Sequence, residues 1–127
     1  TVSRRFHAWI DGGFLEAIGG HDEKGLLAKV RPAKRLATPE STDDASGRFQ
    51  AVMQYILGQY ALVEPLYQLN KEGDLSPDKP AKGKAFLQTQ LQKSGSVLGD
   101  MWFTAWQEAP PDKYLQSYLA KRKLKKQ

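Results

Sequence analysis

The chain offers few residues for chemistry. It has 127 residues, two histidines, His7 and His21, and no cysteine. Disulfides, a thiol nucleophile and thiolate zinc sites are therefore excluded together. His7 is followed four positions later by Asp11, in the run His7-Ala8-Trp9-Ile10-Asp11. On a helix that spacing stacks both side chains on one face, with Cβ atoms roughly 6 Å apart. An imidazole nitrogen and a carboxylate oxygen so placed can share one metal ion, and both are ordinary zinc ligands. The same spacing also serves a plain surface hydrogen bond or ion pair, so the pair alone leaves both readings open. His21-Asp22-Glu23 holds further metal-ligating types, but after Gly19-Gly20 it reads as a solvated loop and helix cap. Glu64 stands on an otherwise apolar stretch, where a half-buried carboxylate could act as a general base. Beside Pro65, at a helix break, it reads instead as a solvent-facing terminal side chain. No serine sits in a nucleophile elbow, and neither glycine pair follows a strand, which excludes a serine triad and a phosphate-binding loop.

The elements that must position these residues are helical. Residues 3–18 predict a first helix, carrying His7 and Asp11 and stopped by Gly19-Gly20. Gly12-Gly13 weakens it, by about 1 kcal/mol per glycine relative to alanine. A short helical turn is expected over 24–30, then a loop marked by Pro32 and Pro39. A second helix starts near Asp43 or Asp44. Phe49, Val52, Met53, Ile56, Leu57, Tyr60, Val63 and Tyr67 form one apolar stripe of period 3.6 along it. Pro65 should kink that helix or end its first half. A loop over 71–82 leads to a third helix at 83–108, with Leu87, Leu91, Ser94, Leu98, Met101 or Trp102, and Ala105 on one face. Pro110-Pro111 stops it, and Asp112 opens a short fourth helix. No segment alternates as a half-buried strand would. The expected class is all-α: a long antiparallel helix pair, an N-terminal ligand-bearing helix and a short C-terminal helix. Phe49, Val52, Ile56, Leu57, Leu91, Leu98, Met101 and Trp102 are the expected core of the pair. Trp102, Phe103 and Trp106 could stack bases or line a lipid pocket, but at helical spacing they read as core.

Two stretches resemble a known superfamily. The run from Arg5 to Leu15 is similar to the last zinc-ligand helix of the single-strand-specific zinc nucleases and the bacterial zinc-dependent phospholipases C, which carries His-x-x-x-Asp. Leu98-Gly99-Asp100-Met101-Trp102-Phe103-Thr104-Ala105-Trp106 resembles a stretch of the C-terminal helix in bacterial relatives, with Phe103 where a tyrosine is expected. Between them, Tyr60 to Tyr67 and Lys82 to Phe86 match the family's long helical pair, so the likeness covers most of residues 4–109. It implies a phospholipase C/nuclease-like helical phosphoesterase with a three-zinc cluster, in which His7 and Asp11 complete one zinc. The family's N-terminal tryptophan and its other histidines have no counterpart among these residues. The expectation is therefore a C-terminal part of a larger enzyme whose N-terminal half is a separate chain or lies outside this sequence. The alternative is a non-catalytic helical binding or assembly subunit derived from that scaffold. A phosphodiester substrate, nucleic acid or phospholipid, and a periplasmic or secreted home are what the resemblance implies.

Charge and hydropathy narrow the remaining classes. The net charge is +5, from 19 Lys and Arg against 14 Asp and Glu. Five of the basic residues fall in the tail 121–127, so the body is neutral and no basic nucleic-acid face is implied. A basic helix end suits the helix dipole and reads as a solvated terminus. No apolar run approaches the ~20 residues that a transmembrane helix needs. Residues 1–5 are polar and lead into no small-residue cleavage site, and Thr1 in place of Met reads as a processed chain or a fragment.

Overall fold

The structure, a computed structural model, describes residues 4–20, 22–37 and 45–124. Among them the chain is all-α, with no strand and a single isolated bridge between Ser76 and Lys79. The predicted first helix is broken into α1 (Arg4–Ala8), a kinked turn (Trp9–Gly13) and α2 (Phe14–Ala17). Gly12 breaks it, with a backbone (φ 159°, ψ −27°) that is not helical. The helix α3 (Glu23–Ala28) follows, its N-terminus capped by the Asp22 carboxylate, which accepts from the Gly25 N–H at 2.9 Å. The predicted start at Asp43 or Asp44 lies outside the described residues.

The apolar stripe of the second predicted helix is shared by α4 (Ala45–Tyr60) and α5 (Val63–Lys71). The break falls at residues 61–62, and Pro65 sits in the first turn of α5. There its missing N–H leaves no helical acceptor unpaired. The long helix α6 (Ala81–Glu108) starts just after Pro80, and α7 (Lys113–Leu124) starts at the Asp112 cap, whose carboxylate accepts from the Leu115 N–H. Arg48 near the start of α4 reaches Glu108 at the end of α6, while Tyr55 further along meets Ser94 further back. The two helices therefore run antiparallel.

The core is not between them. Phe14, Leu15, Leu75 and Leu87 form the buried apolar cluster, with Phe6, Trp9, Ile10, Ile18, Leu66, Leu69 and Phe86 packed around it. The N-terminal helix thus docks against α5, the loop after it and the first turns of α6. Trp9 Nε1 donates to the Leu75 carbonyl at 2.9 Å, and the Phe6 and Tyr67 rings stack at 5.7 Å. Gly83 is required at this crossing: a Cβ there would collide with the Asp74 carbonyl and press on Leu75 and Phe14.

The expected core of the helix pair is corrected by this arrangement. Phe49, Ile56, Leu57, Leu91, Leu98, Met101 and Trp102 are exposed, and Val52 is half-buried. The inner face of the C-terminal half of α6 is instead polar. Buried Asp100 and Thr104 hold an extended segment, residues 31–36, against it. Trp102 and Trp106 lie two positions beyond Asp100 and Thr104, about 200° around the helix. They face outward, 71% and 74% exposed, so they are not core in this chain.

Candidate functional site

His7 is the penultimate residue of α1 and Asp11 lies in the turn that follows, one residue before the non-helical Gly12. Phe6, Trp9, Ile10 and Phe14 turn one side of this segment into the core. His7 and Asp11 are consequently on its outer side, and both are exposed. No hydrogen bond or ion pair between them is formed among the described residues. Asp11 borders a small cavity of about 180 Å³ together with Ile10, Leu15, Leu87, Gln90, Leu91 and Ser94. His7 does not line it. The side-chain oxygen of Gln90, which also borders this cavity, is buried without a hydrogen-bond partner.

Among the described residues no group of three or more His, Asp or Glu side chains could hold a metal ion. His7 and Asp11 therefore fill at most two positions of a tetrahedral zinc, and a complete site requires ligands from outside the described residues. His21 is itself outside them. Asp22 is engaged as the α3 cap, and Glu64 is an exposed first-turn residue of α5, as its position beside Pro65 suggests.

Two buried carboxylates escaped the sequence reading. Asp100 takes both Arg31 guanidinium nitrogens, at 2.8 and 2.5 Å, and the Lys34 backbone N–H at 2.9 Å. The Arg31 hydrogen bonds hold the Asp100 carboxyl below the usual carboxylate range, with further lowering from the Lys34 N–H and opposition from burial. One turn on, Thr104 Oγ1 accepts from the Leu36 N–H at 2.8 Å and donates to the Asp100 carbonyl at 2.7 Å. One more turn on, Glu108 pairs with Arg35 at 2.8 Å and Arg48 at 3.0 Å. Asp100, Thr104 and Glu108 thus form one row along α6, each member gripping the segment that runs beside it. Its aspartate and threonine act here as structural anchors.

Asp74, fully buried in the loop between α5 and α6, is the second. Lys79 Nζ lies 2.7 Å from its carboxylate and Lys82 Nζ 3.4 Å, two mostly exposed lysines closing over a buried charge. The Lys79 contact, opposed by burial, keeps this carboxyl below its ordinary range. A sequence signal existed for the first anchor: an acid and a hydroxyl four apart on an apolar helix, with two arginines in a distant loop. For Asp74 the signal was weak, because a loop acid beside Gly73 looks solvated.

Comparison of the chain with protein-family models, with curated proteins and with solved structures gives no match.

Proposed function

We propose that this chain is one part of a zinc-dependent phosphoesterase, nuclease-like or phospholipase C-like, to which it contributes His7, Asp11 and a helical back wall. One observation carries the reading: His7 and Asp11 are both exposed on a segment whose opposite side is anchored in the only apolar cluster among the described residues. A ligand pair needs this kind of backing. The remaining ligands would come from polypeptide packed over the exposed apolar faces. Phe49, Leu57 and Tyr60 on α4 and Trp102 and Trp106 on α6 are among the large apolar side chains left exposed there. Zinc would supply a bound water of lowered pKa and neutralise charge on the phosphate.

The test is zinc titration of the purified chain, read by elemental analysis after dialysis and by calorimetry. Weak, roughly stoichiometric binding that disappears in both His7→Ala and Asp11→Ala is expected. Binding untouched by either change overturns the ligand assignment. No binding at all favours the second reading, a non-catalytic binding or assembly subunit, which the exposed apolar side chains of α4 and α6 support on their own.

A further inference from the structure

Between α4 and α6, where the end of α3 leads into the anchored segment, lies a cleft of about 670 Å³. Its wall is unlike the interior of a helix pair. Lys29, Arg31 and Lys93 contribute cations, Gln59 and Gln92 amides, and Tyr55 a phenol, with no aspartate or glutamate among the lining residues. Further along the same helix pair Leu36, Phe49, Val52, Met101 and Ala105 line the gap with Arg48, Thr104 and the Glu108 carboxylate, so the carboxylate-free basic lining is local. Arg31 is neutralised by Asp100 and fixed in place by it. Lys29 and Lys93 form no ion pair among the described residues, and their charges are left for an occupant. Tyr55 is held by its hydrogen bond to Ser94 Oγ at 2.8 Å, which turns the phenol ring into a fixed part of the wall. The cleft shares no lining residue with the cavity that Asp11 borders.

Two unpaired ammonium groups and two amides converging without a competing carboxylate select an anion with several acceptor oxygens. The volume lies in the range of small-ligand sites. We propose that this cleft binds a small phosphate-bearing anion, with Lys29 and Lys93 holding the phosphate oxygens from opposite walls. Gln59 and Gln92 donate to the same group, and the Tyr55 ring flanks whatever the phosphate carries. The site belongs to this chain alone and does not rest on the zinc reading.

The test titrates the full chain with pyrophosphate, AMP and adenosine in EDTA, followed by calorimetry or amide chemical shifts. EDTA removes zinc, so failure here leaves the His7 and Asp11 assignment standing. Saturable binding of pyrophosphate or AMP, and none of adenosine, is expected. Lys29→Gln and Lys93→Gln should each weaken it about tenfold, the loss of one charge-assisted hydrogen bond, while Lys93→Arg retains it. The triple variant Lys121→Gln, Arg122→Gln, Lys123→Gln should bind as the parent does. Absence of saturable binding overturns the proposal. So does adenosine binding as tightly as AMP, or an affinity that follows the tail variant and ignores Lys29 and Lys93.

Discussion

Single residues fix this chain where the helices alone would not. Asp100 is the clearest. Its carboxyl titrates below its unfolded value because Arg31 and the Lys34 N–H stabilise the charged form. A depressed carboxylate contributes stability that is fully present above the unfolded value near 3.9 and is lost as pH falls through the lower folded value. Acid titration of the parent should therefore show the anchored segment releasing below about pH 4, while Asp100→Asn should be less stable at neutral pH and lack that acid step. An identical acid profile in the variant would show that Arg31 does not depend on this charge. Gly83 makes the opposite kind of demand, for absence of atoms. Gly83→Ala should lower stability by about 1–3 kcal/mol through overpacking, although alanine is the better helix former. A stabilised variant in thermal melts would mean that the loop over Gly83 shifts freely.

At the scale of elements, the helix content, the breaks and the caps were readable from the sequence, and the burial of the long pair was not. Gly19-Gly20, Asp112 and the Pro110-Pro111 stop mark real ends because they act through local backbone chemistry. Pro65 misled by only a few residues, since a proline belongs in a first turn as readily as it ends a helix. The stripe on α4 and α6 failed for a different reason. Periodicity identifies an apolar face without saying what covers it, and Asp100 and Thr104 give α6 a polar inner face that hydropathy does not weigh. Of the candidate site, the pair and its spacing were legible, whereas the break just after Asp11 comes from a non-helical Gly12. Two truncations separate the views. Leu87→Ala, in the cluster, should cost about 2–5 kcal/mol, whereas Leu98→Ala, 49% exposed, should cost under about 1 kcal/mol in this chain by itself. Equal losses in urea unfolding would restore the helix-pair core.

At the scale of the whole molecule, large apolar side chains stand exposed along α4 and α6. Phe49, Leu57 and Tyr60 on α4, and Trp102 and Trp106 on α6, stand mostly free. Exposed apolar residues gathered on helix faces mark interaction sites or association. The isolated chain should bind a hydrophobic dye such as ANS and sediment above its monomer mass. The double variant Leu57→Glu, Trp102→Glu should return it to a monomer with its helical signal intact. A parent chain that is monomeric and dye-silent would contradict the open-faced arrangement.

The row of Asp100, Thr104 and Glu108 also has a temporal consequence. The bonds it makes to Lys34 and Leu36 join residues 66 and 68 positions apart, yet the segment they hold has no regular structure of its own. Closing so long a loop is entropically costly before any contact rewards it, so this segment should dock late in folding, after α6 exists to receive it. Once docked, it should behave as a small cooperative unit that opens apart from the rest. The amides of Lys34 and Leu36 should then resist deuterium exchange far better than their irregular backbone suggests. Thr104→Val removes the bond to the Leu36 N–H, worth about 1 kcal/mol, along with the hydroxyl's own bond within α6, and should speed exchange at Leu36 roughly fivefold. The amides of the Phe14 and Leu87 cluster should keep their pace.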